Sequence, residues 1–257
     1  MKIAASDYDG TLFRNNEIAA EDARGVHAWR AAGHKFGVVT GRDYGMLVPQ
    51  IHHYGVEFDY AVCNNGGIIH DATGRVLHQE KIAARVLHAI AAEPGVRRSL
   101  HFAFSAPGRT FLCHDREGSW IMREAEQWDF PVVKITEEEI TKLPDIHQFS
   151  LGYDDPREAA EVASILNAKY GADVHAYPNR GSVDITPPDV SKRNGIEKLK
   201  QVMGWQGAEV YAIGDEVNDL PMIEAYSGFT VDTARDVIKA KARASYASVG
   251  AMLEANL

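Results

Sequence analysis

The 257-residue sequence predicts an α/β protein, with a Rossmann-like parallel-sheet core built from both ends of the chain and an α+β domain inserted between them. Three observations predict it. Short apolar runs alternate with amphipathic segments from Ile3 to Cys63; hairpin spacings replace that rhythm in the middle of the chain; and the rhythm resumes after Pro187-Pro188. These changes divide the chain into a core of residues 1–81 and 186–257 and an insert of residues 82–185.

Each element has its local reason. Ile3–Ser6 is a short apolar run that stops at an acid, and Glu17 to Ala32 carries Ile18, Val26 and Trp29 at helical spacing with Gly33 as the stop. Phe36–Val39 and Tyr60–Cys63 read as buried strands flanking a helix from Asp43 to Tyr54, which Pro49 disturbs. Strand-helix-strand-helix-strand with short connections implies right-handed crossovers and a parallel sheet. Ile68–Asp71 and Arg75–His78 flank Ala72-Thr73-Gly74 as a hairpin. Beyond it come a helix at Ala83–Ala92, strands at Leu100–Phe104 and Thr110–Cys113, and a helix around Trp120–Trp128. Strands at Gln148–Tyr153, Asp173–Tyr177 and Ser182–Thr186 enclose a helix at Pro156–Tyr170, so the insert is expected to hold an antiparallel sheet, with Trp120, Trp128 and Tyr153 in its small core. The returning core segment supplies a helix from Arg193 to Met203, a strand at Val210–Ile213 and a helix beyond Leu220.

Composition excludes several functions. The net charge is −9 with Lys and Arg scattered, which leaves no footprint for nucleic acid or an anionic membrane, and no long apolar run suggests a span or a leader. The expectation is a cytoplasmic protein with no obligatory protein partner. Cys63 and Cys113 are too few for a disulfide framework, and neither they nor the eleven histidines, the adjacent His52 and His53 included, have zinc-site spacing. No Gly-rich nucleotide loop occurs.

Chemistry is expected at the carboxyl ends of the strands, where open parallel sheets bind ligands. Four strands end there on polar groups: Asp7-Tyr8-Asp9-Gly10-Thr11, Thr40-Gly41-Arg42, Asn64-Asn65-Gly66-Gly67 and Gly214-Asp215-Glu216-Val217-Asn218-Asp219. Taken singly, each has an ordinary reading as a turn, a strand-end hydroxyl or a solvated lysine. Calcium loops fail on position: counted from Asp7, the required Gly and Glu are Leu12 and Ile18, and from Asp215 they are Leu220 and Tyr226. Acid pairs converging on one edge instead call for a hard divalent cation, Mg²⁺, shared with a substrate phosphate. Asp7 is then the nucleophile that forms an aspartyl-phosphate, and Asp9 the acid that protonates the leaving oxygen and the base that activates water. Gly10 admits the phosphate close to the backbone, the Thr40 hydroxyl and nearby amides donate to its oxygens, and Lys192 at a helix start adds fixed positive charge.

With these residues in place, the sequence resembles the haloacid dehalogenase superfamily, within it the Cof-type sugar-phosphate phosphatases with a large cap. The motifs are Asp7-Tyr8-Asp9-Gly10-Thr11, Thr40, Lys192, and Gly214-Asp215 with Asn218-Asp219; Asn64-Asn65-Gly66-Gly67 matches the family's Asn-Gly element. The stretch Val231–Ala242 resembles the last core segment, with Thr233-Ala234 where relatives carry Asn-Ala. The resemblance implies that Asp7, Asp9 (through its carbonyl) and Asp215 ligate Mg²⁺, that Tyr8, Thr40, Gly41, Lys192 and Asn218 bind the substrate, and that Asp219 stands behind the ligands or near Lys192. Dehalogenase relatives lack the second Asp of the first motif, so Asp9 implies phosphoryl transfer. The implied activity is hydrolysis of small phosphorylated metabolites such as sugar phosphates. The alternatives are a sugar phosphomutase and a regulatory module that binds a phosphometabolite without turnover. In the family the cap selects the leaving group, and His175, Asn179 and Arg180 are the expected specificity positions.

Overall fold

A computed structural model describes residues 1–179 and 181–257; Arg180 therefore lies outside the described residues. The chain divides into two compact units. Met1–Thr40, Gln50–His78 and Ser191–Leu257 form one, and Gly41–Pro49 with Gln79–Val190 form the other.

The first unit begins with β1 (Lys2–Ser6), α1 (Ala20–Ala31), β2 (Lys35–Val39), α2 (Tyr44–His53, shared in sequence with the second unit) and β3 (Tyr60–Cys63), then the hairpin strands β4 (Ile68–Asp71) and β5 (Val76–Gln79). The second unit follows with α3 (Ala84–Ala91), α4 (Pro94–Arg97), β6 (His101–Ala106), β7 (Arg109–Asp115), α5 (Ile121–Trp128), β8 (Val132–Lys134), β9 (Gln148–Gly152), α6 (Pro156–Tyr170), β10 (His175–Asn179) and β11 (Ser182–Thr186). The chain returns to the first unit with α7 (Lys192–Met203), β12 (Glu209–Gly214), α8 (Leu220–Ala225), β13 (Phe229–Val231), α9 (Asp236–Lys239), β14 (Ala244–Tyr246) and α10 (Val249–Ala255).

The first unit's sheet runs β14-β13-β12-β1-β2-β3-β4-β5, parallel from β14 to β3, with β4 antiparallel to β3. This is the expected α/β core. β1 lies at its centre, with Ile3 opposite Val210 on one side and Lys35 on the other. Both faces are covered, which is why these strands read as unbroken apolar runs. Ile196 and Leu199 of α7 join Ile3, Ala5, Val39 and Val62 in one buried cluster, while α1 meets β2 and α10.

The second unit's sheet runs β10-β11-β9-β6-β7-β8. It is antiparallel except at the edge, where β8 pairs in parallel with β7. This three-residue strand has no sequence signature; the crossover through α5 brings it back alongside β7. One sheet face carries Phe102, Phe104, Phe149, Leu151, Val183 and Ile185 into a core shared with α3 and α6, and Tyr153 joins it. On the other face α5 covers Ala103 and Leu112 through Ile121 and Ala125, with Trp120 and Trp128 at the rim. Gly41–Pro49 groups with this unit through specific bonds. Thr110 Oγ1 donates to Asp43 Oδ2 at 2.6 Å, Gln148 Nε2 donates to the Gly41 carbonyl at 2.9 Å, and Arg42 pairs with Glu124 at 2.8 Å.

His101 gives this unit an acid-sensitive interior. It is fully buried at the start of β6, edge-on to Trp120, and burial is the main reason its pKa falls to about 4, with His114 acting in the same direction and Asp115 against it. An unfolded histidine takes up its proton near pH 6.5, so stability is present above that value and is lost as pH falls toward 4, by about 3 kcal/mol. Urea midpoints of the second unit are expected to fall between pH 7 and 4.5, and a folded His101→Gln variant to lose less over the same range; parallel losses would remove His101 as the cause.

Candidate active site

The site forms within the first unit, where the polar strand ends come together. Asp7 follows β1 directly and is held in line by its N–H donating to the Ile213 carbonyl at 2.9 Å. The chain then turns tightly: the N–H groups of Thr11 and Phe13 both donate to the Tyr8 carbonyl. Gly10 makes the turn possible. Its φ is +90°, and a Cβ there would lie 2.5 Å from Asp215 Oδ2.

From β12 come Asp215, Asn218 and Asp219. Asp7, Asp215 and Asp219 each offer a carboxylate oxygen within 4.8 Å of the others, and all three are buried. Lys192 stands between two of them. Its Nζ donates to Asp7 Oδ1 and Asp219 Oδ1, each at 2.5 Å, and the residue is only 2% exposed. Its place at the first turn of α7 follows from the Ser191 hydroxyl, which caps that helix by accepting from the Asn194 N–H, and from Gly66, where φ is +113° and a Cβ would collide with the Ser191 carbonyl at 2.3 Å.

Burial, then the charge of Asp219, push Asp7 well above the usual carboxylate range; Lys192 pulls it down and Asp215 adds to the rise. Asp215 is also raised, by burial first, although a hydrogen bond from Thr11 opposes this. Burial works against the Lys192 charge, but Asp219 and Asp7 outweigh it and hold this ammonium above its ordinary value. Three carboxylates thus share one ammonium, an imbalance that one more cation would correct.

The donor set fits a hard divalent ion, being oxygen-only and anionic. Within it Asp219 is already committed: Oδ1 takes Lys192, and Oδ2 accepts the N–H groups of Asp215 and Glu216, each at 2.9 Å. Asp7 and Asp215 are the side chains suited to ligation. The Asp9 side chain stands outside this acid group. Thr40, at the end of β2, is buried, and its carbonyl accepts the Asn65 N–H at 2.9 Å. Asn218 Nδ2 donates to Asn65 Oδ1 at 3.2 Å. The Tyr8 ring is fully buried and stacks on Phe13, so a substrate could meet only the main chain of this residue. Gly41 belongs to the second unit. His175 and Asn179 lie on β10, on the same face as Tyr177.

Two residues of the sequence motifs take partners that the sequence did not assign. Asn65 links Thr40 to Asn218, and its positive φ of 55° was signalled only by the Asn-Asn-Gly composition. Thr11 donates its hydroxyl to Asp215 Oδ1 at 2.7 Å across 204 residues, which no local pattern announces.

Residues 4–249 match the family model described as haloacid dehalogenase-like hydrolase. The chain belongs to the haloacid dehalogenase-like hydrolase family. Among the curated relatives of this family member is the pyridoxal phosphate phosphatase YbhA of Escherichia coli, 22% identical over 250 residues, covering 94% of this chain and 91% of the relative. Another is the HMP-PP phosphatase of Yersinia pestis, 24% identical over 224 residues, covering 86% and 80%. A solved haloacid dehalogenase-like hydrolase from Bacillus subtilis superposes with a TM-score of 0.84 at 19% identity, over the whole of both chains. This hydrolase shares that fold. No described helix is long and apolar enough to cross a membrane.

Proposed function

We propose that the protein is a Mg²⁺-dependent phosphatase of small phosphorylated metabolites that works through an aspartyl-phosphate on Asp7. The observation that carries this reading is the buried group of Asp7, Asp215 and Asp219 around the single ammonium of Lys192, at the carboxyl ends of adjacent parallel strands. Relatives named for pyridoxal phosphate and HMP-PP support the substrate class.

Asp7 and Asp215, with the Asp9 carbonyl, would hold Mg²⁺, whose charge offsets that of the substrate phosphate and favours ionised Asp7. An Asp7 carboxylate oxygen attacks phosphorus, and the bond to the leaving oxygen breaks as Asp9 protonates that oxygen. Asp9, now a carboxylate, takes a proton from water. The resulting nucleophile attacks the phosphorus of the aspartyl-phosphate, releasing inorganic phosphate and restoring Asp7. Lys192 fixes the Asp7 carboxylate and, with Thr40 and Asn218, donates to the oxygens of the transferring group. Asp219 holds Lys192 in place.

The test is phosphate release from an aryl phosphate and from a panel of sugar phosphates, pyridoxal phosphate and HMP-PP, with Mg²⁺ or with EDTA. Release should require Mg²⁺, stop in EDTA and return when Mg²⁺ is restored in excess. Equal release in EDTA would overturn the metal requirement. Conversion of a hexose phosphate to an isomer with little free phosphate would identify a mutase, and Mg²⁺-dependent binding without any release would identify a binding module.

A further inference from the structure

A buried ion pair that the proposed reaction does not use ties the loop after β1 to the carboxy-terminal helix. Arg14 Nη2 pairs with Asp22 Oδ2 at 2.8 Å, with side-chain exposures of 15% and 0%. Asp22 lies in the first turn of α1, and its other oxygen accepts the Gly250 N–H of α10 at 2.6 Å. The other arm of the Arg14 fork donates to the Thr11 carbonyl. Thr11 is fully buried, and its hydroxyl donates to Asp215 Oδ1. An unbroken series of bonds therefore runs from α10 through Asp22, Arg14 and Thr11 to a carboxylate of the acid group.

We infer that Arg14 and Asp22 are positioning residues of the metal centre, acting through Thr11 to set the orientation of the Asp215 carboxylate. The inference rests on the reading of Asp215 as a metal ligand. A carboxylate can rotate about its terminal bond, and a ligand that is free to do so must be ordered when the ion binds. The Thr11 hydroxyl removes that freedom beforehand, but only if Thr11 is itself immobile. Its N–H is held by the Tyr8 carbonyl and its own carbonyl by the guanidinium. A planar fork can serve a carbonyl and a carboxylate at once in fixed directions, whereas an ammonium on a flexible stem cannot. Arginine at position 14 thus has a reason beyond its charge.

The experiment is calorimetric titration of Mg²⁺ into metal-free protein, alongside melting temperatures in EDTA, for wild type, Asp215→Asn, Thr11→Val, Thr11→Ser, Arg14→Lys and the double variant Arg14→Lys/Thr11→Val. Asp215→Asn should lose the titration. Thr11→Val should bind Mg²⁺ 10–100-fold more weakly, the range found when partners behind metal ligands are removed, while Thr11→Ser should match wild type. Arg14→Lys keeps a cation for Asp22 and should melt in EDTA near wild type, yet bind Mg²⁺ about tenfold more weakly. Because Arg14 acts through Thr11, the double variant should bind no more weakly than Thr11→Val alone. Additive losses in the double variant, or wild-type Mg²⁺ affinity in Arg14→Lys, would overturn the inference while leaving the metal site intact. No Mg²⁺ binding by wild type would overturn the metal-site reading, and the inference with it.

Discussion

Asp7→Asn should reduce phosphate release by about 10⁴–10⁶-fold, the scale on which removal of a covalent nucleophile is felt. The substitution is close to isosteric, and Lys192 keeps its bond to Asp219, so the loss would reflect chemistry rather than collapse. Acid-quenched wild type incubated with substrate should carry phosphate on Asp7, and the variant none. The same change should raise stability in EDTA. The folded-state pKa of Asp7 is elevated chiefly by burial and by Asp219, so its contribution to stability is present below the ordinary carboxylate value near pH 4 and is lost as pH rises through the native one. Asn has no proton to lose, so metal-free melting curves of variant and wild type should separate as pH rises, with the variant the higher. Activity within tenfold of wild type would end the nucleophile assignment; a variant that melts lower at every pH would contradict the electrostatic account of the site.

Lys192→Met should produce the second large effect, in stability and in rate together. The methionine fills a similar volume but leaves Asp7, Asp215 and Asp219 buried without a side-chain cation between them. Breaking a buried ionic group from one side typically costs about 3–5 kcal/mol. Urea unfolding of the first unit in EDTA should show that loss, and Mg²⁺ should restore part of it by supplying charge to the same acids. Rate should fall by about 10²–10³ even at saturating Mg²⁺, because a preorganised donor to the transferring group has gone. Full activity in a variant of wild-type stability would mean that Lys192 neither holds Asp7 nor meets the phosphate.

The core strands and their polar ends were legible because one physical rule governs both. A strand buried on both faces must be apolar along its length, and a parallel sheet presents the residues that follow its strands along one edge; Ile3–Ser6 with Asp7, and Val210–Ile213 with Asp215, satisfy both conditions in plain sequence. Lys192 was legible as a helix start because Ser191 is a strong cap. What could not be read are pairings set by tertiary approach. Thr11 finds Asp215 and Asp22 finds Gly250 across more than two hundred residues, and nothing local in Gly41-Arg42-Asp43 announces partners at Gln148, Glu124 and Thr110. β8 escaped notice because three residues ending in a lysine carry too little alternation to separate a strand from a loop.

The central position of β1 bears on how the chain is made. Ile3 pairs on one side with Lys35, close by in the chain, but its partner on the other side, Val210, follows more than two hundred residues later and is synthesised correspondingly later. Pairings this distant close slowly and leave an apolar strand edge exposed in the meantime. The run Gln79–Val190, by contrast, supplies every strand of the six-stranded sheet, and all the pairings of that sheet fall within the stretch. On the ribosome the inserted unit can therefore fold while the first unit waits for Ser191–Leu257, and Asp7 meets Lys192 and Asp215 only after the inserted unit has been made. A chain that has not reached Lys192 lacks the ammonium that stands between Asp7 and Asp219.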